Sequence, residues 1–591
     1  MKKTIYFLIC TAFLACGEAK KEPTQEKTAP VNNFEEFSAE FVEEYWKINP
    51  ISASYQGYHK YDSLLPIPNE TTKKKKLEFA SLWLERLKEF DFEPLEEQDK
   101  IDYQIIENQL SSYDFYMNKF KSGEWNPGAY NLGGAFFQVI NFRDEDLNKR
   151  LENLSKKLDH IPAYYTAAKA NLKTLTKVHT QLAISQLEGS KSVFQGTLID
   201  SLEASSMDDS FKENFKEKVE AAATAIDGFV SQLKEIQPTL ADNAKSFRIG
   251  KELFEEKFSA EIQSAYTAEE IFQFAVSEKE ELHDQLYRLS GDLWEKYYGD
   301  QEKPGGRFDQ IQMVFDAVAK THVHRDSFIT AIRKQIPQLE NFVRENDLLT
   351  LDPEKPLVVR ETPEYMRGFA GASISAPGPY DKNAETYYNV TPLDHYTEEE
   401  AESYLREYNH YTLQILNIHE AIPGHYTQLV YSNQSPSLIK SIFGNGSMIE
   451  GWAVYSELMM LENGFGDNLE LGFMYYKWNL RTVCNTILDY GIHVLDFTEE
   501  DAMQLLMKEA FQEKSEAEGK WKRARLSQVQ LCSYFNGYYE IRALRSELQE
   551  LMGEDFDLKQ FHEDFLSYGS APVKFIRTLM LKKLDSSKKA V

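Results

Sequence analysis

Cysteine is nearly absent from this chain, with four in 591 residues: Cys10, Cys16, Cys484 and Cys532. Two of them lie in an N-terminal apolar stretch. The other two sit inside apolar helical patterns and read as small buried hydrophobes, so no disulfide framework is expected. Glycine (29) and proline (20) are sparse as well. That disfavours a turn-rich β fold, and a supply of Glu, Lys, Leu, Ala and Gln favours helix. Positive charge is in deficit: 66 Lys and Arg against 94 Asp and Glu leave a net charge of −28. Such a surface repels a phosphate backbone, which argues against nucleic acid as a partner. No G-x-S-x-G elbow and no G-x-x-x-x-G-K loop occurs, which sets aside the common serine hydrolases and P-loop nucleotide enzymes. The apolar run from Ile5 to Ala15 is too short to cross a bilayer as a helix.

That run follows Lys2 and Lys3, the layout of a secretory signal. Cys16 comes after the small residue Ala15 and before Gly17, as at the end of a bacterial lipobox, although Phe13 stands where leucine is usual. Residues 1–16 are therefore expected to be a signal ending at a lipid-modified Cys16. The polar segment 17–33 is expected to be a flexible tether. The expected location is the cell envelope, through a lipid anchor in the membrane. The alternative is a plain secretory signal with an incidental cysteine.

Beyond the tether the pattern is helical. Phe34, Phe37, Phe41, Val42 and Tyr45 recur at helical spacing and stop before Asn49-Pro50. Phe211, Phe215, Val219, Ala222, Ile226, Phe229, Val230 and Leu233 mark a second amphipathic helix. Thr267 with Glu270, Thr397 with Glu400 and, more weakly, Thr498 with Asp501 are capping boxes. One region breaks the pattern. Leu357–Val359, Gly371–Ser375 and Thr386–Val390 read as a small sheet with a Gly/Pro-rich loop at Ala376–Asn383. Its edge strand is suited either to pairing with an extended peptide or to a purely structural hairpin. The chain is expected to divide into residues 34–355, helical throughout, and residues 356–591, which open with this sheet.

The second part carries the chemistry. His419-Glu420-Ala421-Ile422-Pro423-Gly424-His425 puts two imidazoles and a carboxylate into seven residues, and Glu450-Gly451-Trp452-Ala453 follows. Zinc takes imidazole nitrogen and carboxylate oxygen, three protein ligands in a catalytic site. In the H-E-x-x-H helix the histidines are four apart and share a face. His419 and His425 are six apart, which on a regular helix leaves them roughly 120° apart in azimuth. Pro423-Gly424 predicts a bulge that brings them back together. Glu450 opens an apolar helix, and its carboxylate needs a counter-charge there; with His419 and His425 it forms the expected ligand set for one Zn2+ ion. Glu420 is placed to take a proton from an attacking water. Glu457, two turns after Glu450, is expected to orient an imidazole from behind.

HEAIPGHYTQ followed by EGWAVYSE resembles the bacterial family known as domain of unknown function 885, often lipoproteins and classed as zinc metallopeptidases. Asn49-Pro50 with Ser52, Gly57 and Tyr61, the segment Asp489-Tyr490-Gly491-Ile492-His493, and Ser533-Tyr534-Phe535-Asn536-Gly537 extend the resemblance over most of the chain. Gln528 and Phe497 stand where that pattern has proline and tryptophan. The Glu450/Glu457 spacing is similar to that of thimet-oligopeptidase-like and Taq-carboxypeptidase-like enzymes. The resemblance implies a mainly α, two-lobed zincin-like fold with the small sheet next to the active-site helix and a deep channel. It implies a peptidase that hydrolyses peptides, whether as a carboxypeptidase or an oligopeptidase.

Peptide hydrolysis needs an oxyanion donor. Tyr534 is the candidate, with Tyr538, Tyr539 and His493 as alternates; aromatic packing or a structural histidine is the competing reading for each. Asp489 joins Glu457 as a supporting carboxylate. Arg481, Arg542 and Tyr538 are candidates for holding the substrate, and interhelix salt bridges are the plainer account of the two arginines. His322-Val323-His324 diverges on a helix and has no acidic companion. Two other functions remain open from the sequence: a peptide-binding lipoprotein without catalysis, and a zinc hydrolase of a non-peptide amide or ester.

Overall fold

Aromatic residues at helical spacing build the first element. Helix α1 (Phe34–Ile48) buries Phe34, Phe37, Phe41, Val42 and Tyr45, and the Asn33 side chain caps its start by accepting from the Glu35 amide. The computed structural model describes residues 33–142, 145–362, 371–380, 385–435 and 437–590. The expected signal, Cys16 and nearly all of the tether lie outside the described residues. Helix α2 (Asp209–Ile236) buries the second predicted stripe, except that Phe211 is only half-buried. All three capping boxes form, and the first opens the long helix α3 (Ala268–Tyr298).

The chain is mainly helical with one three-stranded sheet. Strands β1 (Leu357–Glu361), β2 (Ala372–Ser375) and β3 (Thr386–Val390) lie in the order β1-β3-β2. The central β3 is parallel to β1, with Val358 opposite Tyr387, and antiparallel to β2, with Ile374 opposite Tyr388. Of the predicted Ala376–Asn383 loop, residues 376–380 are irregular and 381–383 lie outside the described residues. Tyr380 docks on the N-terminal helices, its hydroxyl accepting from Trp46 Nε1 at 2.8 Å.

After the sheet come helices α4 (His410–Glu420), α5 (His425–Gln434), α6 (Gly446–Glu462), α7 (Leu469–Val494), α8 (Lys514–Leu526), α9 (Cys532–Met552) and α10 (Leu558–Ser567). Helix α7 runs beside α3 and touches α4, and α6 packs against α9. The α6–α9 contact is backbone to backbone. A Cβ on Gly537 would lie 1.8 Å from the Ser447 carbonyl oxygen, and one on Gly451 2.3 Å from the Gly537 carbonyl carbon. Only glycine fits at this crossing.

The buried apolar residues gather into two main cores among the described residues. A smaller core gathers Leu65 with residues between Tyr130 and Leu240. A larger one runs from Phe34 to Met580 and draws on both expected lobes. The reason is α1 and α3, whose apolar faces are buried in the same core as α4, α6 and α7.

Candidate metal centre

The sequence expected one bulged helix through His419–His425, and the chain instead ends one helix and begins another. Helix α4 stops at Glu420, a turn containing a cis Ile422–Pro423 bond follows, and α5 starts at His425. Gly424 is there for room: a Cβ on it would lie 1.9 Å from the His419 carbonyl oxygen. Trp452 of α6 holds the turn by donating its Nε1–H to the Pro423 carbonyl at 2.9 Å. The change of direction brings the two imidazole centroids to 4.8 Å.

Glu450, in the first turns of α6, points at both rings. Its Oε2 lies 3.4 Å from His425 Nε2 and 3.8 Å from His419 Nε2. His419, His425 and Glu450 each offer one donor atom within 4.8 Å of the others. These spacings are too long for hydrogen bonds of normal length. They suit a shared ion, since two donors about 2.1 Å from a tetrahedral zinc lie about 3.4 Å apart. Two imidazoles and a carboxylate are also a donor set of the kind zinc takes. The residues fit the metal.

The surroundings orient the donors. His419 Nδ1 lies 2.6 Å from Glu457 Oε1, and a proton held there turns Nε2 toward the centre. Trp478 Nε1–H donates to the same Glu457 oxygen at 3.0 Å. His425 has no such support: its Nδ1 is buried without a hydrogen-bond partner among the described residues. Burial would push the Glu450 carboxyl up, but the two imidazoles outweigh it and hold the group well below the usual range. Burial also pushes Glu420 up, opposed by the same two imidazoles. Among the described residues no hydrogen bond occupies the Glu420 carboxylate. Behind Glu420, the buried Tyr388 of β3 donates to Asn417 of α4 at 2.8 Å, fixing the sheet to the helix. The outer edge of β2 pairs with no described strand.

Tyr534 of α9 lies within electrostatic reach of Glu450. It is half-buried, and after burial itself the Glu450 charge is what raises its hydroxyl most. Arg523 Nη2 donates to its oxygen at 3.1 Å. The remaining expected site residues are elsewhere. His493 is buried, its Nε2–H donating to the Ala524 carbonyl at 2.9 Å, and burial lowers it to about 4, so it is a structural histidine. Asp489 touches neither metal-site imidazole; it accepts the Leu531 amide at 3.0 Å and holds the start of α9. Arg542 is committed to a two-pronged ion pair with Glu278, both bonds 2.9 Å, and also donates to Tyr538. Tyr538 is buried in that contact, and Tyr539 stacks on Phe274. Arg481 pairs with Glu516 at 2.5 Å, so both arginines are held in interhelix ion pairs. His322 pairs with Glu402, away from any cluster.

The sequence reading missed Lys520 and Arg523. Glu516, Lys520 and Arg523 are spaced i, i+4, i+7, which puts them on one face of α8. In a charged helix that spacing reads as solvated surface, yet the Lys520 side chain is 5 % exposed.

Residues 50–580 match the family described as "Bacterial protein of unknown function (DUF885)". The chain belongs to this family. A DUF885 relative of known structure is a "putative lipoprotein of unknown function" from Shewanella oneidensis, 51% identical, with a TM-score of 0.87 over 93% of this chain and 100% of that one. A "putative lipoprotein" from Colwellia psychrerythraea is 16% identical with a TM-score of 0.76, covering 94% and 99% of the two chains, and is similar in fold. An M32 carboxypeptidase from Deinococcus radiodurans is 9% identical with a TM-score of 0.37, covering 92% and 94%, too distant to bear on fold or activity. No curated protein matches the chain. Among the described residues of this DUF885 protein, no helix is long and apolar enough to cross a membrane.

Proposed function

We propose that this DUF885 protein is an exported zinc-dependent peptidase anchored through a lipid on Cys16. The observation that carries the catalytic reading is the convergence of His419, His425 and Glu450 beside a carboxylate, Glu420, that has no protein hydrogen bond of its own among the described residues. A zinc ion held by the three would polarise a water and the scissile carbonyl. Glu420 takes the proton of the attacking water and delivers it to the leaving amine, a role suited to a carboxyl raised by burial. Tyr534 donates its O–H to the oxyanion. Arg523 supports this by donating to the Tyr534 oxygen, which leaves the phenol proton free to point at substrate. Glu457 keeps His419 in the tautomer with a free Nε2. The anchor is supported by the Lys2-Lys3, Ile5–Ala15 and Cys16 pattern and by the lipoprotein description of the Shewanella relative.

The test is Glu420→Gln. The variant should bind one zinc per chain and lose activity on a diverse peptide mixture by about 100-fold or more. Full peptide cleavage by a zinc-loaded Glu420→Gln protein, or no zinc in the parent, would refute the reading.

A further inference from the structure

Helices α7 and α8 carry more positive charge than their paired carboxylates match. Lys477 is matched by Glu407 at 2.7 Å and Arg481 by Glu516 at 2.5 Å. Lys520 and Arg523 have no such match. The nearest carboxylate to the Lys520 ammonium is Glu516, at 4.0 Å and already taken by Arg481. A buried ammonium without its own counter-charge is costly. Burial first, and then the Arg481 charge, push Lys520 down to about 7, as expected of a cation short of anions. Arg523 is exposed, its guanidinium donates to the neutral Gln530 and Tyr534 oxygens at 2.7 and 3.1 Å, and no ion pair forms on it among the described residues. Arg523 touches Tyr534, whose hydroxyl also feels the Glu450 charge, and Lys520 lies one turn before Arg523 on the same helix.

We propose that Lys520 and Arg523 receive the free C-terminal carboxylate of a short peptide, so that the centre cuts from the C-terminal end. This rests on the peptidase reading for the cleavage step and is independent of it for binding. A carboxylate arriving there supplies the missing counter-charge, and Arg523 at the solvent side gives it an entry. The Arg481–Glu516 pair is the fixed wall behind it. Arg481 thus holds Glu516 instead of the substrate.

The experiment uses zinc-loaded Glu420→Gln protein and three probes measured by calorimetry. They are N-acetyl-Leu-Phe as the free acid, the same dipeptide as its C-terminal amide, and amidated N-acetyl-Asp-Phe. The free acid should bind about tenfold or more tighter than either amide, the worth of one charge-assisted bond. Adding Lys520→Met or Arg523→Gln should reduce that preference to about threefold or less; Arg523 is exposed, so its replacement spares the fold. Equal binding of acid and amide overturns the proposal. So does a preference that survives both substitutions, which would put the carboxylate on the metal centre itself. Equal binding of the Asp-containing amide overturns the C-terminal assignment. Acid-selective binding with no cleavage by the wild-type protein leaves the carboxylate site standing and removes the peptidase reading. Cleavage of acid and amide alike does the reverse.

Discussion

Glu457→Gln isolates the strength of the proposed zinc site from its ligand count. The glutamate is buried, and one oxygen receives both His419 Nδ1–H at 2.6 Å and Trp478 Nε1–H at 3.0 Å. Glutamine has the same shape and keeps a carbonyl acceptor for both donors, so packing and the His419 tautomer persist. What is lost is the charge on the acceptor. A hydrogen bond to a charged group is worth about 1.5–3 kcal/mol, against about 0.5–1.5 for a neutral one. The difference, about 1–2 kcal/mol, is a zinc affinity weakened by roughly 5- to 30-fold, overlapping the lower end of the usual range of about 10- to 100-fold for carboxylates behind a metal-bound histidine. The assay is competition for zinc against a chromophoric chelator, with circular dichroism to show that the variant is folded. A folded Glu457→Gln protein with wild-type zinc affinity would refute the view that His419 Nε2 is a ligand braced from behind.

Three further outcomes follow from the same geometry. Gly537→Ala places a Cβ 1.8 Å from the Ser447 oxygen, so α6 and α9 must separate at a cost of about 1–3 kcal/mol. A lower melting temperature together with weaker zinc binding is expected, because Glu450 adjoins Gly451 at the crossing; an unchanged protein would contradict the contact. His562 is buried, its Nδ1–H donating to the Leu348 carbonyl at 2.8 Å while Nε2 faces the Tyr455 hydroxyl at 2.9 Å, and burial lowers it to about 4. The unfolded chain takes the proton near 6.5, so this stability is present above that pH and lost as pH falls toward 4, about 2–3 kcal/mol by pH 4.5. Urea unfolding should therefore show a smaller loss between pH 7 and 4.5 in His562→Gln than in wild type, and parallel losses would count against it. Cys16→Ala expressed in a bacterial host should leave the protein without incorporated palmitate and free of the membrane fraction; a labelled variant would rule out Cys16 as the anchor.

What was legible in the sequence was what depends on neighbours along the chain. Phe34 to Tyr45 and Phe215 to Leu233 mark buried helix faces because helical period is local. Thr267 and Thr397 mark helix starts because a capping box closes within four residues. The convergence of His419, His425 and Glu450 was legible because spacing demanded an interruption at Pro423-Gly424. The form of that interruption, a turn between two helices, depended on room beside the His419 carbonyl and on Trp452, a contact from another helix. Partners across helices were not legible. Asp489 and His493 lie in a family-like segment of their own, yet their side chains point to the Leu531 amide and the Ala524 carbonyl. Lys520 carries no sequence signal, because nothing local tells that α8 buries it.

The bond from Trp452 to Pro423 has a consequence of its own. It joins the helix of one donor to the turn between the other two without using any donor atom. Trp452 is itself clamped flat against Phe565 of α10 at 5.7 Å. The three donors are thus held by indole and carbonyl contacts of the protein itself, so the proposed ion would enter a formed frame, unlike small zinc domains that collapse without their metal. Stripping and reloading should then behave as a change of cargo in a standing frame: the emptied protein keeps its shape, and different divalent ions can be compared in one unchanged geometry.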